Sequence, residues 1–260
     1  ANTTGTYNSA VGQGALSANT TGSNNAAFGK DALLSNTTAS NNTAVGYQAA
    51  YSNTTGTSHV AVGYQALYSN TVNNNNTAVG SQAGYSNTTG TANTFIGNGS
   101  GYSMTTANYT TYVGASAGYY QTGGQNTAVG SVAFQGSTTP ANNTGTLNVA
   151  VGYAAMVANT SGQSNTAIGH SALNANNTGS NHTAVGYQAL YVSTAGGYDS
   201  AFGNQALYSN TSGNYNTALG ASALYSNTTA SYNTALGYQA GYQSTGAGNT
   251  IMGVQAGYSL

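Results

Sequence analysis

Asn42-Thr43-Ala44-Val45-Gly46-Tyr47-Gln48-Ala49 returns one period later as His59-Val60-Ala61-Val62-Gly63-Tyr64-Gln65-Ala66, and after the same interval as Asn76-Thr77-Ala78-Val79-Gly80-Ser81-Gln82-Ala83. Working outward from these three lines, a small–apolar–glycine signature ends at Gly12, Gly29, Gly46, Gly63, Gly80, Gly97, Gly114, Gly130, Gly152, Gly169, Gly186, Gly203, Gly220, Gly237 and Gly253. The numbers of successive glycines differ by 17 in eleven cases, by 16 in two and by 22 in one. A period of 17 is too short for a two-helix repeat and too long for a heptad. It suits one coil of a solenoid, each lap of chain lying on the last.

Positions are counted from the signature glycine as zero. Position −1 is always apolar, from Val11 and Phe28 to Leu236 and Met252. Position −2 is Ala except at Phe95, Tyr112 and Ile251, −3 is mostly Thr, and +3 is Ala except at Ser100. Thr-Ala-Val-Gly alternates as a strand does. Glycine in every repeat and Asn-Thr-rich connections are poor helix formers, costing about 0.5–1 kcal/mol per residue relative to Ala. The expected fold is therefore all-β, a parallel β-solenoid of about 15 coils. Period-2 alternation puts −3 and −1 on one face and −2 and 0 on the other. The expectation is that −1, with Ala at +3, fills the coil, leaving an Ala/Gly face bare enough for a neighbouring backbone to approach. Asn recurs at −4 (Asn8, Asn25, Asn42 and onward) and at +7 (Asn19, Asn36, Asn53 and onward). In register, such residues form amide ladders.

The longest interval, Gly130 to Gly152, interrupts the array around Pro140, the only proline. The organisation read from it is a first array over 1–134, an inserted loop or bulge over 135–147, and a second array over 148–260 continuous with the first. A recognition loop is the alternative for the insert. Neither end carries a charged or proline-bearing cap, which suggests either a window from a longer fibre or coils that stack end to end on the next subunit. The opening Ala1-Asn2-Thr3-Thr4-Gly5-Thr6 has no signal-peptide pattern, as expected of a chain numbered from after processing.

The recurring Asn-Thr-Ala-Val-Gly-Tyr-Gln-Ala of Asn42 to Ala49 resembles the head repeats of trimeric autotransporter adhesins of the Yersinia adhesin type. The Tyr-Gln-Ala-Leu-Tyr-Ser-Asn runs resemble the arrays of phage and bacterial tail-fibre-like proteins. The resemblance covers essentially the whole chain. It implies a left-handed β-roll, three chains side by side, displayed outside the cell. The chain departs from that pattern in its longer Ser-Asn-Thr-Thr-Gly turn, and shows no coiled-coil stalk, membrane-anchor barrel or chaperone domain.

Composition removes most chemistry. The 260 residues include one basic side chain, Lys30, two acidic ones, Asp31 and Asp199, and no cysteine. Charged residues are 1% of the chain, against about 25% in ordinary domains. One Lys makes no basic patch, so nucleic-acid binding by counterion release is not expected. Nor is a thiolate metal site, a disulfide, or membrane insertion, since no apolar run reaches the roughly 18 residues of a span. Like charges in register repel, which gives the low charge a physical reason.

Few residues could carry a reaction. His59 and His182 both stand at −4, seven coils apart, so they share no metal; His170 stands at +1. Lys30 and Asp31 are adjacent, and Asp199 replaces an Asn at −4. The expectation is no triad, dyad, ligand cluster, catalysis or cofactor. The most suggestive feature is the +5 column of Tyr51, Tyr68, Tyr85, Tyr102, Tyr119, Tyr191, Tyr208, Tyr225, Tyr242 and Tyr258. It reads either as a contact surface for glycan or protein, or as a stacked ladder stiffening the coil. The pairs Thr20-Thr21, Thr37-Thr38, Thr54-Thr55, Thr88-Thr89 and Thr228-Thr229 invite an ice-binding reading, although neighbours on a strand point opposite ways. Asn19, Asn36, Asn53, Asn87, Asn98, Asn108 and Asn227 head Asn-x-Thr/Ser sequons. The expected function is an extracellular structural fibre or filament subunit at a cell or virion surface. Its partner would be itself, as a lateral trimer or an end-to-end polymer. The alternatives are a glycan- or surface-binding adhesin module and an ice-binding solenoid.

Overall fold

A computed structural model describes residues 2–259. The chain is all-β, a parallel β-solenoid whose strands recur with the period of the signature glycine. It divides into two compact units, residues 1–125 and 126–260. The first holds β1 (Ser9–Val11), β2 (Ala26–Phe28), β3 (Thr43–Val45), β4 (Val60–Val62), β5 (Thr77–Val79), β6 (Thr94–Ile96) and β7 (Thr111–Val113). The second holds β8 (Thr127–Val129), β9 (Val149–Val151), β10 (Thr166–Ile168), β11 (Thr183–Val185), β12 (Ser200–Phe202), β13 (Thr217–Leu219), β14 (Thr234–Leu236) and β15 (Thr250–Met252). Each strand is only positions −3 to −1, and within each unit it pairs parallel and in register with the next, as in Thr77↔Thr94 and Val79↔Ile96. In the second unit β8 pairs with β9 across the longest interval, Thr127 opposite Val149. The extra residues form an outward turn whose Pro140–Asn142 stretch is a single 3-10 turn with no buried residue.

The strand faces are the reverse of the expected arrangement. From Ala27 onward the −2 side chain is buried, whereas −1 points outward, with Val45 38% and Ile168 42% exposed. The interior is filled by −2, by Ala at +3, and by a column that the alternation did not reveal, +4: Leu33, Leu67, Leu173, Leu190, Leu207 and Leu224, with Phe134 and Met156. The coil is too thin to hold two branched columns face to face, so the small −2 side chain goes in and the branched −1 side chain goes out. The three large −2 residues follow the same rule. Cβ atoms built on Gly84 and Gly101 would lie 2.6 and 2.4 Å from the Phe95 ring, one on Gly118 2.1 Å from Tyr112, and one on Gly241 2.8 Å from Ile251. A large residue at −2 is thus matched by glycine at +4, conserving core volume.

Turning so tightly forces unusual backbone. Residues at −5, +2 and +4 have φ between +50° and +74° in every coil, whatever the side chain. That conformation costs a non-glycine residue about 1–2 kcal/mol. It is held by bonds between coils: the +4 N–H of Leu33 donates to the Ala49 carbonyl at 3.0 Å, and the +2 N–H of Gln48 to the Lys30 carbonyl at 2.9 Å. At the signature glycine both the backbone conformation and the neighbouring coil exclude a side chain. Its φ is near +135°, and a Cβ on Gly220 would sit 2.3 Å from the Gly237 carbonyl oxygen. The close backbone approach expected of the Ala/Gly face is therefore made by the next coil of the same chain. Gly220→Ala is expected to cost at least about 3 kcal/mol, and Gly248→Ala, which has φ +74° and nothing within 4 Å of its Cβ, only about 1–2 kcal/mol. Urea titrations of the two variants against the parent measure the difference.

Candidate functional site

Aromatic columns are the most ordered feature of the surface. In the first unit Tyr51, Tyr68, Tyr85, Tyr102 and Tyr119 stack with centroids 5.1, 5.2, 5.0 and 4.7 Å apart and planes within 11°. In the second, Tyr191, Tyr208, Tyr225, Tyr242 and Tyr258 stack at 5.2, 5.0, 4.9 and 5.0 Å, with planes within 8°. The separation is the strand spacing of about 4.8 Å, so the backbone ladder sets the ring distance. Stacking covers the ring faces and leaves edges and hydroxyls at the surface. Partial burial, then the neighbouring phenols, push the titration of Tyr68, Tyr119 and Tyr225 above the ordinary value. Two further aromatic columns were not singled out from the sequence. Tyr47 stacks on Tyr64 at +1, with Tyr153, His170 and Tyr187 in the corresponding column of the second unit, and Tyr198, Tyr215 and Tyr232 stack at −5.

The −4 column is a buried relay of amides. The Oδ1 of Asn25 accepts the backbone N–H of Asn42 at 3.0 Å, and its Nδ2 donates to the Ala39 carbonyl at 2.8 Å. Each −4 side chain must therefore present one acceptor and one donor. His59 does so with a ring: Nδ1 accepts the Asn76 N–H at 3.2 Å, and Nε2 meets the Asn73 carbonyl at 2.9 Å, which assigns the Nε2–H tautomer. Burial lowers its pKa to about 4. At +7, Asn36 donates both to Asn19 Oδ1 at 2.9 Å and to the Ala39 carbonyl at 3.1 Å.

One expectation from the sequence is overturned here. His182 and Asp199 occupy −4 in adjacent coils and do come together, with His182 Nδ1 3.5 Å from Asp199 Oδ2 and both side chains fully buried. Ser193, standing at +7 where Asn is usual, lies 3.4 Å from His182 Nε2. Coil stacking brings the three residue types of a nucleophilic triad together. Yet Ser193 is fully buried, and no pocket opens among the described residues. Burial lowers the His182 pKa to about 4 and raises that of Asp199 to about 7, the latter against hydrogen bonds from Asn216 and Asn210. Between about pH 4 and pH 7 both members are held uncharged.

The remaining candidates separate by burial. The hydroxyls of Thr20, Thr37, Thr54 and Thr88 donate to the carbonyls of Thr37, Thr54, Thr71 and Thr105 at 3.0–3.1 Å, so they are committed to the next coil. Asn19, Asn36, Asn53, Asn87 and Asn227 are fully buried and closed to glycosyl transfer in the folded chain, whereas Asn98 and Asn108 are exposed. His170 and Lys30 lie at the surface, far from a ligand set. Among the described residues no group of His, Cys, Asp or Glu could hold a metal ion, and no helix is long and apolar enough to cross a membrane.

No family model matches the chain, and neither a curated protein nor a solved structure matches it.

The buried ionisable groups give opposite pH limbs. A histidine with pKa about 4 in the fold and about 6.5 when unfolded binds its proton first in the unfolded chain, so stability falls as pH drops from about 6.5 to 4, by about 3 kcal/mol. Asp199, about 7 when folded and 3.8 ordinarily, binds its proton first in the fold, so stability falls as pH rises from about 4 to 7. His59→Asn is expected to flatten the acid limb in the first unit. Asp199→Asn should raise the denaturation midpoint of the second unit at pH 8, leaving the His182 acid limb in place. Midpoints measured from pH 4 to 8 check both.

Proposed function

We propose that this chain is a non-catalytic structural element, a fibre or filament subunit serving as a shaft or adhesin-head-like rod outside the cell. The observation that carries the reading is the outward strand face. In each unit the −1 side chains, from Val11 to Val113 and from Val129 to Met252, form an unbroken apolar stripe beside the −3 column, mostly Thr. Monomeric proteins rarely leave a contiguous apolar patch of more than a few hundred Å² in water. At about 4.8 Å per strand each stripe is about 30 Å long and, with its flanking columns, about 15 Å wide. Each stripe is thus an apolar patch of about 450 Å², of the size that marks an interaction surface when it is exposed. The partner that fits is a second copy. It offers the same periodic stripe and almost no charge to be desolvated against it. Self-packing therefore uses the Thr/Val face and not the Ala/Gly face, which lies inside.

Two other readings are constrained by the geometry. A glycan-binding role resting on the +5 column would have to use phenol edges, because the ring faces that stack on sugars are covered by one another. Contact with ice or ordered water would fall on the −3 and −1 columns, not on the Thr-Thr pairs. The outward methyl and hydroxyl rows of Thr217, Thr234 and Thr250 stand in register there. A freezing-point measurement on the purified protein tests that second reading.

Electron microscopy and sedimentation test the main one. The parent chain is expected to form rods of associated copies. Val45→Lys with Val79→Lys, and Ile168→Lys with Phe202→Lys, each pair exposed and two coils apart so that no two lysines stand directly opposite, should give dispersed single chains with unchanged circular dichroism. A parent chain that sediments as a monomer at high micromolar concentration would overturn it.

A further inference from the structure

The tyrosine columns have a reactivity that a rod does not need. A phenol that loses one electron and one proton becomes a phenoxyl radical whose unpaired electron lies in the ring π system, largely on the oxygen and the ortho carbons. Those π lobes point out of the ring plane. In a stacked column they point at the next ring. Each +5 pair holds its rings nearly parallel at one strand spacing, with planes within 11° and centroids 4.7–5.2 Å apart. The rings are half-exposed, so an oxidant in solution reaches their edges. The rest of the composition leaves oxidising equivalents few competing sinks. There is no cysteine and no tryptophan among the 260 residues, against 22 tyrosines and three methionines. Two of those methionines, Met104 and Met156, are fully buried.

We propose that the +5 column is a covalent modification site, at which peroxide and a peroxidase-type one-electron oxidant join stacked neighbours into dityrosine and so tie coil to coil. The step balances as follows. Each of two phenols gives up one electron and one proton. The two radicals form one carbon–carbon bond between ortho positions. Each of those carbons then passes its hydrogen to the ring oxygen, which restores both phenols. The two electrons and two protons removed reduce one hydrogen peroxide to two waters. A radical formed at a ring whose neighbour is still reduced can exchange its electron along the column, so the second radical need not form beside the first. Links arise between residues one coil apart, Tyr68 to Tyr85 or Tyr208 to Tyr225. Each closes a loop of one repeat and restricts the unfolded chain as a short disulfide loop does.

The inference does not rest on fibre assembly, so it is tested where the chain is dispersed, with the lysine-substituted protein at low concentration. Peroxidase and hydrogen peroxide are expected to give dityrosine fluorescence and a mass loss of two hydrogens per link. No dimer should appear on a denaturing gel, and the cross-linked peptides should join each tyrosine to the one a single repeat away. The cross-linked protein should unfold at a higher urea concentration. Tyr208→Phe with Tyr242→Phe keeps the stack but leaves Tyr191, Tyr225 and Tyr258 about two strand spacings apart, roughly 10 Å. Links within that column should disappear, while those of Tyr51 to Tyr119 persist as the internal control. The proposal is overturned if oxidation yields only links between chains or ring hydroxylation. It is equally overturned if the same links form to the same extent in the urea-unfolded chain, since stacking would then contribute nothing.

Discussion

Successive coils lie one strand spacing apart because only a hydrogen atom projects from each signature glycine. At Gly46 the next coil's carbonyl oxygen would be 2.5 Å from any Cβ, and the same close approach recurs up both stacks. That contact fixes the register, and register does the rest. Once like positions sit over like, a column of a single residue type repeats one interaction at every step. Asparagine relays bonds from coil to coil, leucine and alanine fill the interior, and tyrosine stacks at the surface. A charged column would repeat a repulsion instead, and the chain carries almost no charge. The left-handed residues at −5, +2 and +4 belong to the same constraint. A coil this tight needs them, and the hydrogen bonds between coils offset their cost.

The −4 column shows how narrow the tolerance is. Its residues must accept a hydrogen bond from a backbone N–H of the next coil and donate one to a carbonyl of that same coil, all out of water. Asn does so without titrating. His59 does so only as the neutral Nε2–H tautomer, because a proton on Nδ1 would face the Asn76 N–H. Asp199, when ionised, can accept from Asn216 and Asn210 but has no donor. Its rise to about 7 follows from burial, which the hydrogen bonds from Asn216 and Asn210 only partly offset, and a protonated carboxyl restores the donor that Asn supplies. Ser193, His182 and Asp199 meet as three departures from Asn in two neighbouring buried columns. Geometry near that of a triad is thus a by-product of stacking. Ser193 Oγ is enclosed by the packed interior, and no pocket opens beside it among the described residues.

Much of this could be read from the residues alone, and the errors have a physical pattern. The period, the parallel register, the strands at −3 to −1 and the amide columns all follow from spacing. Alternation, however, states only that a strand has two faces. Branched Val at −1 suggested a core, and the thinness of the coil reversed the assignment. The +4 column was hidden because one Leu in a polar stretch such as Gln65-Ala66-Leu67-Tyr68 has no strand or helix period around it. A signal for it was nevertheless present. Phe95, Tyr112 and Ile251 break the Ala rule at −2, and Gly84, Gly101, Gly118 and Gly241 break the Leu rule at +4 beside them. Paired exceptions of that kind identify two columns that share a volume. The meeting of His182 with Asp199 was equally accessible, since both stand at −4 and one repeat apart.

The same logic bears on where function can reside. In a solenoid whose buried columns are all engaged in holding coil to coil, any further role must fall to side chains that face water without a neighbouring coil's backbone to satisfy. Two sets qualify. The Thr and apolar columns of the strand face are chemically inert and periodic, which on the proposed reading suits packing against an equally periodic surface. The tyrosine columns have their ring faces paired and their hydroxyl edges free, which weakens a sugar-stacking role but leaves the phenols open to electron loss. Inert stripe and oxidisable stripe lie on different columns of the same coil, so association through one leaves the other available.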